Sequence, residues 1–294
     1  MKLLVCLVAA FAVASARTIG LEDLIDLEDI TAWNYFEKIG RPLAEEIRKA
    51  EEEGSSNRIV GGTAARLGEF PFQAGLLSTY PTGQGVCGGS LLNNRCVLTA
   101  AHCWFDGQSQ ASSVTVVLGS IQLFSGGTRL TTSNVVMHGS WMPNLIRNDV
   151  AMIYLPTSIA FNNNIAPIAL PAGSQLNENY AGDNAVASGF GLTSDNGVIS
   201  TSQFLSRVDL PVITNSQCLP SFPFILQNSN LCVSGANGRS TCRGDSGGPL
   251  TAIRNNNRLL IGVTSFGSGR GCQVGSPAVF ARVTSYISWI NNLL

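Results

Sequence analysis

Only two histidines, His102 and His138, occur in the 294-residue chain, so few side chains can move a proton near neutral pH. His102 closes the apolar run Leu98-Thr99-Ala100-Ala101-His102-Cys103. Asp149 lies in Arg147-Asn148-Asp149-Val150-Ala151-Met152, an acid just ahead of an apolar run. Ser246 lies in Gly244-Asp245-Ser246-Gly247-Gly248-Pro249, where flanking glycines let the backbone approach a substrate carbonyl closely. A serine hydroxyl is a weak nucleophile at neutral pH. It needs a base to take its proton, a carboxylate to orient that base, and donors for the oxyanion. Taken singly, each motif has an ordinary reading: a structural histidine, a strand cap, a glycine turn. Together, in the order His, Asp, Ser, they point to acyl transfer by a serine nucleophile.

The elements that must hold these residues are strands. From residue 59 onward, short apolar runs (Gly89–Leu92, Val97–Thr99, Val114–Leu118, Val150–Leu155, Leu259–Val263) alternate with Gly, Pro, Asn and Ser clusters. That spacing suits a sandwich or barrel. The last ten residues differ: Thr284 suits an N-cap, and Ile287, Ile290, Leu293 and Leu294 recur at helical spacing, predicting a docked C-terminal helix. With 45% hydrophobic and 13% charged residues the chain can bury a sizeable core, and a net charge of −1 argues against nucleic acid as a partner.

Charge divides the chain. Residues 17–58 hold eleven acids against six bases, whereas residues 59–294 hold eight acids and eleven arginines, with no lysine. Ahead of both, residues 1–16 read as a signal peptide: Lys2, an apolar run from Leu3 to Ala14, and a small-residue site at Ala14-Ser15-Ala16. The run is too short to span a bilayer, and no later stretch is apolar enough, so a secreted product without a membrane partner is expected. Within residues 17–58, Arg41 to Glu53 predicts a short helix, with Leu43 and Ile47 on one face and Glu45 four residues before Lys49. Thirteen residues are marginal alone, so this helix needs a partner surface. Gly54-Ser55-Ser56-Asn57 then offers an exposed linker suited to proteolysis, followed by Arg58 and Ile59-Val60-Gly61-Gly62. The expected division is a leader (1–16), an activation pro-segment (17–58) and a catalytic domain (59–294).

Seven cysteines remain after the leader, at 87, 96, 103, 218, 232, 242 and 272. Secretion permits disulfides, and an odd number leaves at least one thiol over. Spacing alone does not choose the pairs. No metal or cofactor is expected: no cysteine pair has zinc-site spacing, and residues 107–148 contain no Asp or Glu to hold calcium.

These motifs resemble the trypsin/chymotrypsin family of serine proteases. The resemblance covers residues 59–294 and rests on Ile59-Val60-Gly61-Gly62, Cys87-Gly88-Gly89-Ser90, Thr99–Cys103, Asn148-Asp149 and Gly244–Pro249, in order. Ser234-Gly235-Ala236-Asn237-Gly238 ahead of Cys242 is most similar to insect chymotrypsin-like and brachyurin-like digestive proteases. The resemblance implies an all-β fold of two six-stranded antiparallel barrels, with a C-terminal α-helix and the site in the cleft between them. It implies His102 as base and acid, Asp149 as its orienting carboxylate, and the N–H groups of Gly244 and Ser246 as the oxyanion hole. Ser265 matches the serine that supports the aspartate, and Gly267, after Phe266, the backbone that pairs with a substrate strand. It also implies disulfides Cys87–Cys103, Cys218–Cys232 and Cys242–Cys272, with Cys96 a small buried apolar residue.

Activation follows from the same resemblance. A cut after Arg58 by a trypsin-like protease frees the Ile59 amine, which pairs with Asp245. Without that amine the loop carrying Gly244 is expected to relax and lose the oxyanion hole. The pro-segment has no cysteine outside the leader, so it is expected to leave entirely after the cut. Six residues before Ser246 stands neutral Ser240, so the pocket floor lacks the acid that a trypsin needs for Arg or Lys. Gly267 keeps one wall open and Ala278 narrows the other, favouring Leu, Met or Phe over Trp. Arg243 sits at the rim, suited to acidic groups near the scissile bond. The expected partners are protein substrates, a trypsin-like activator and protein inhibitors, met by a monomer in an extracellular digestive compartment such as the gut lumen.

Overall fold

The computed structural model describes residues 26, 30–53, 63–195 and 204–294; the leader, Arg58 and Ile59 lie outside the described residues. Short β-branched runs broken by turn residues become strands, all of them antiparallel. After β1 (Thr63–Ala64), the first half contributes β2 (Gln73–Tyr80), β3 (Gly83–Leu91), β4 (Cys96–Thr99), β5 (Ser113–Leu118), β6 (Thr128–Thr132), β7 (Val135–Met137) and β8 (Ala151–Tyr154). They curl into one sheet of order β6-β5-β2-β3-β4-β8-β7. The second half contributes β9 (Asn184–Gly189), β10 (Ser206–Ile213), β11 (Asn230–Val233), β12 (Pro249–Arg254), β13 (Asn257–Phe266) and β14 (Ala278–Arg282). These six close into a barrel, because β9 pairs with both β10 and β12, and β1 joins at β10.

Of the two six-stranded barrels that the resemblance implied, the second is closed, while the first is a curled sheet of seven strands that no ladder closes. Its edges, β6 and β7, are short and half-exposed, and they meet only through Ser133-Asn134. Leu76, Leu91, Leu98, Leu118 and Met152 pack inside the first sheet, and Leu210, Leu231, Leu250, Ile261 and Phe280 inside the second. Closed or strongly curled sheets leave few free edges and trap a cleft where they meet. The three disulfides pair as the resemblance implied: Cys87–Cys103, Cys218–Cys232 and Cys242–Cys272. Cys96 is free and buried on β4.

Helix α1 spans Arg41–Glu53, as the periodicity predicts, and buries Leu43, Ala44, Ile47 and Ala50. Its partner surface is the catalytic domain. Phe36, in a π-helical turn just before α1, stacks on Tyr80 at 3.7 Å. A short helix α2 (Asn215–Cys218) follows β10, and α3 (Val283–Asn291) ends the fold. The N-cap of α3 is Arg282, two residues before the expected Thr284, because β14 runs directly into the helix.

Candidate active site

His102 sits in a single 3-10 turn, Ala101–Cys103, after β4, and the Cys87–Cys103 disulfide ties that turn to β3. Asp149 opens the approach to β8 after Asn148, whose left-handed backbone (φ 57°) turns the chain toward the histidine. The two groups are buried together, His102 fully and Asp149 at 2% exposure. His102 Nδ1 lies 2.8 Å from Asp149 Oδ2, and the His102 backbone N–H donates to Oδ1 at 2.9 Å. Ser265, on β13, donates its hydroxyl to Oδ2 at 2.6 Å. Three donors thus hold one carboxylate, and the carboxylate in turn fixes the imidazole's rotamer and presents Nε2 to the cleft.

Ser246 comes from the other half of the molecule, on the turn between Cys242 and β12. Gly88 N–H donates to Ser246 O at 2.7 Å, and Gly247 N–H donates to Thr264 O at 2.8 Å, so the turn is anchored to both sheets. Gly244 has φ +97°, and any side chain there would meet Leu43 and the Gly191 backbone. Beside Ser246 opens a pocket lined by Ser240, Arg243, Ser265, Phe266, Gly267 and Ala278, with Pro277 and the Cys242–Cys272 pair completing it. Ser240 places a hydroxyl there and Ala278 a buried methyl. Arg243 is exposed at the rim. Among the described residues that line the pocket, Arg243 is the only charged one, and none is acidic.

A buried imidazole held by a carboxylate, a serine on a glycine turn and a pocket beside that serine are the parts that acyl transfer uses. The sequence pattern of the family described as Trypsin matches residues 59–290. The chain belongs to the trypsin family of serine proteases. A collagenase from Hypoderma lineatum is 41% identical over 79% of this chain and 86% of its own length. Brachyurin from Leptuca pugilator is 37% identical over 79% and 96%. A chymotrypsin from Phaedon cochleariae is 33% identical over 99% and 97%, an alignment that extends beyond the catalytic domain. The solved structure titled HL collagenase superposes with a TM-score of 0.72 at 39% identity, covering 80% of this chain and 98% of its own. The protein is a serine endopeptidase, and its substrates are proteins. No helix among the described residues is long and apolar enough to cross a membrane.

In this protease Asp245 turns away from the cleft. Its carboxylate accepts from Gly191 N–H and Cys242 N–H, both at 2.9 Å. Burial raises its pKa from the ordinary 3.8 to about 6, against the lowering by those two N–H groups. A second pocket opens onto it, lined by Gly189, Gly191, Leu192, Ser206, Arg207 and Ser240. β1 lies against Ser206 and Arg207 on the same side. Gly191 and Cys242 thus hold the Asp245 carboxylate from two loops, while the Gly244 N–H lowers the pKa of Tyr35 on the cleft side.

A raised carboxyl pKa means that the fold favours the neutral acid. The stabilisation is fully present below about 3.8 and is lost as pH rises through about 6. Asp245→Asn removes this dependence. Between pH 4 and 6.5 the variant should gain on the parent precursor by on the order of 2 kcal/mol, or roughly 5 °C in Tm. Paired thermal melts across that range measure it; a constant gap between the two proteins would rule out the assignment.

The sequence reading missed the residues that cover this site. Tyr35 stands edge-on to His102, with ring centroids 4.9 Å apart, and its hydroxyl donates to Val86 O at 2.8 Å. Burial pushes the phenol far above its ordinary range, partly offset by the Ser246 side chain and the Gly244 N–H. Asp106, fully buried, accepts the Phe36 N–H at 2.8 Å. A signal was available: Ile30, Trp33, Tyr35, Phe36 and Ile39 are a dense apolar run in an otherwise acidic segment.

Proposed function

We propose that the chain is a secreted protease precursor, activated extracellularly by a trypsin-like cut after Arg58, that cleaves proteins after large apolar residues during digestion. The pocket beside Ser246, whose described lining holds no acid, carries the specificity reading: a guanidinium placed over Ser240 would be buried without a counter-charge. His102 takes the Ser246 proton as the hydroxyl attacks the scissile carbonyl, and Asp149, braced by Ser265, stabilises the imidazolium that forms. The Gly244 and Ser246 N–H groups receive the oxyanion. His102 then hands the proton to the leaving amine, and a water molecule repeats the sequence to release the acyl group. Phe266 and Gly267 line the approach, where the substrate strand pairs with β13.

The cut gives Ile59 a free α-amine. β1 begins four residues later, so the new terminus reaches at most about 14 Å from Thr63. The pocket onto Asp245 is the destination that this anchoring favours, and an ammonium there would favour the ionised form of an acid whose pKa burial raises. The product works as a monomer and is open to protein inhibitors that present an extended loop to the cleft.

A P1 panel on the cut protease tests the reading. Phe, Tyr and Leu substrates should exceed Arg by at least about a hundredfold in kcat/KM, since the unpaired charge costs several kcal/mol. Trp should trail Phe by roughly tenfold because of the Ala278 methyl. An acidic residue beside the scissile bond should help the parent and hinder Arg243→Glu. Preferred cleavage after Arg would overturn the pocket assignment.

A further inference from the structure

The pro-segment enters the cleft as a substrate would and then departs from substrate geometry. Ile30 forms an antiparallel bridge with Ser268, and Gly267 N–H donates to Thr31 Oγ1 at 3.0 Å, on the wall assigned to the substrate strand. From Thr31 the backbone leaves the extended form, winding through a turn and the π-helical Phe36–Gly40 as it passes Ser246. A peptide bond is attacked from an extended strand held in register, so this wound stretch covers the catalytic groups without presenting a scissile bond. Trp33 packs against Gly107 and Pro143, Tyr35 covers His102, and Ile39 reaches the specificity pocket.

Beyond the catalytic centre the same segment has a second hold. Leu43 lies over Gly244 and Ile47 is 1% exposed. Arg48 lies over the Phe124 ring at 5.0 Å and bonds Gln84. Glu51 accepts from Leu123 N–H at 2.6 Å, Phe124 N–H at 3.0 Å and Ser125 Oγ at 3.1 Å. The acidic segment faces a domain with an excess of arginine over acid, so long-range attraction reinforces the fit.

From this double anchorage we propose that the pro-segment, once cut at Arg58, remains bound as a cleft-directed inhibitor of its own protease. The partner of this surface is the excised pro-segment, and its departure, rather than the cut alone, releases activity. The absence of a disulfide, from which the sequence reading expected the segment to leave entirely, is offset by buried aromatic and aliphatic anchors. Cutting also turns an intramolecular contact into a bimolecular one, so the inhibition becomes sensitive to dilution. The proposal rests on the reading of an active protease opened at Arg58.

The test is a cut confined to Arg58, verified by intact mass, on the full-length parent, Tyr35→Ala and Leu43→Asp. In the parent, the pro-segment should co-elute with the domain in size exclusion at micromolar concentration, and specific activity should rise at least about tenfold on dilution. Either substitution should weaken the inhibition roughly thirtyfold or more, as loss of a buried anchor does. Variants that fold should reach the same final kcat/KM once the segment is gone. Separate elution of an intact parent pro-segment, or full activity while it co-elutes, overturns the proposal and leaves the catalytic reading standing. Inactivity of all three proteins at every dilution sinks both.

Discussion

Ser246→Ala should reduce kcat/KM of the cut protease by on the order of 10^5 to 10^6-fold while leaving its folding intact. The hydroxyl is the only part removed. Its backbone neighbours, Gly88 N–H on Ser246 O and Gly247 N–H on Thr264 O, do not depend on the side chain. Alanine fits the position without a clash, so the melting temperature should move by less than about 1 kcal/mol equivalent. His102→Ala should cost a similar factor, and the double variant little more, because base and nucleophile act as one unit. The residue of activity would come from the Gly244 N–H and substrate binding. Steady-state kinetics on a Phe substrate, with a melt for each variant, decide the matter. Retention of more than a tenth of parent activity by the alanine variant would remove Ser246 from the nucleophile's role.

Arg58→Gln should leave a precursor that trypsin treatment cannot bring within about a thousandfold of the parent's activity, a deficit larger than the loss of one oxyanion donor alone. Two independent barriers remain in such a protein. Without the Ile59 amine, Asp245 keeps its pKa near 6 and has only Gly191 and Cys242 N–H as carboxylate partners among the described residues. The segment from Ile30 to Glu53 also remains covalently attached, with Tyr35 over His102 and Glu51 clamped on Leu123 and Phe124. A tether keeps its local concentration high, so dilution gives no relief. N-terminal sequencing alongside kcat/KM distinguishes the cases: parental activity in Arg58→Gln with an N-terminus other than Ile59 would move the activation site.

The two mutations probe different layers of the molecule. Ser246 depends on short-range geometry contributed by both sheets, whereas the Arg58 substitution tests whether a cut there is what opens that geometry. The Asp149 carboxylate, fully used by His102 and Ser265, is part of the domain's own packing and is complete in the uncut chain.

Much of this was legible in the residues. The His102, Asp149 and Ser246 motifs required a strand end, a turn and a glycine loop, and those are the settings in which they are found, because such local requirements are written in adjacent residues. The α1 bounds followed from periodicity, since a helix reports its buried face every three to four residues. The neutral Ser240 was a matter of composition at one position. Three features needed the tertiary structure. Whether a barrel closes depends on pairing between strands far apart in sequence, and the first sheet stays open at β6 and β7. The support of Asp245 by Gly191 and Cys242 joins residues from two loops, and no local pattern encodes which N–H groups meet that carboxylate. The position of Tyr35 over His102 joins residues 67 apart, and no local pattern encodes which surface an apolar run will cover. The sequence by itself determined the chemistry and the strands that carry it. Only the tertiary structure decided that the segment from Ile30 to Glu53 lies across that chemistry, because docking depends on two surfaces matching in shape, charge and hydrogen bonds, and each surface is assembled from distant parts of the chain.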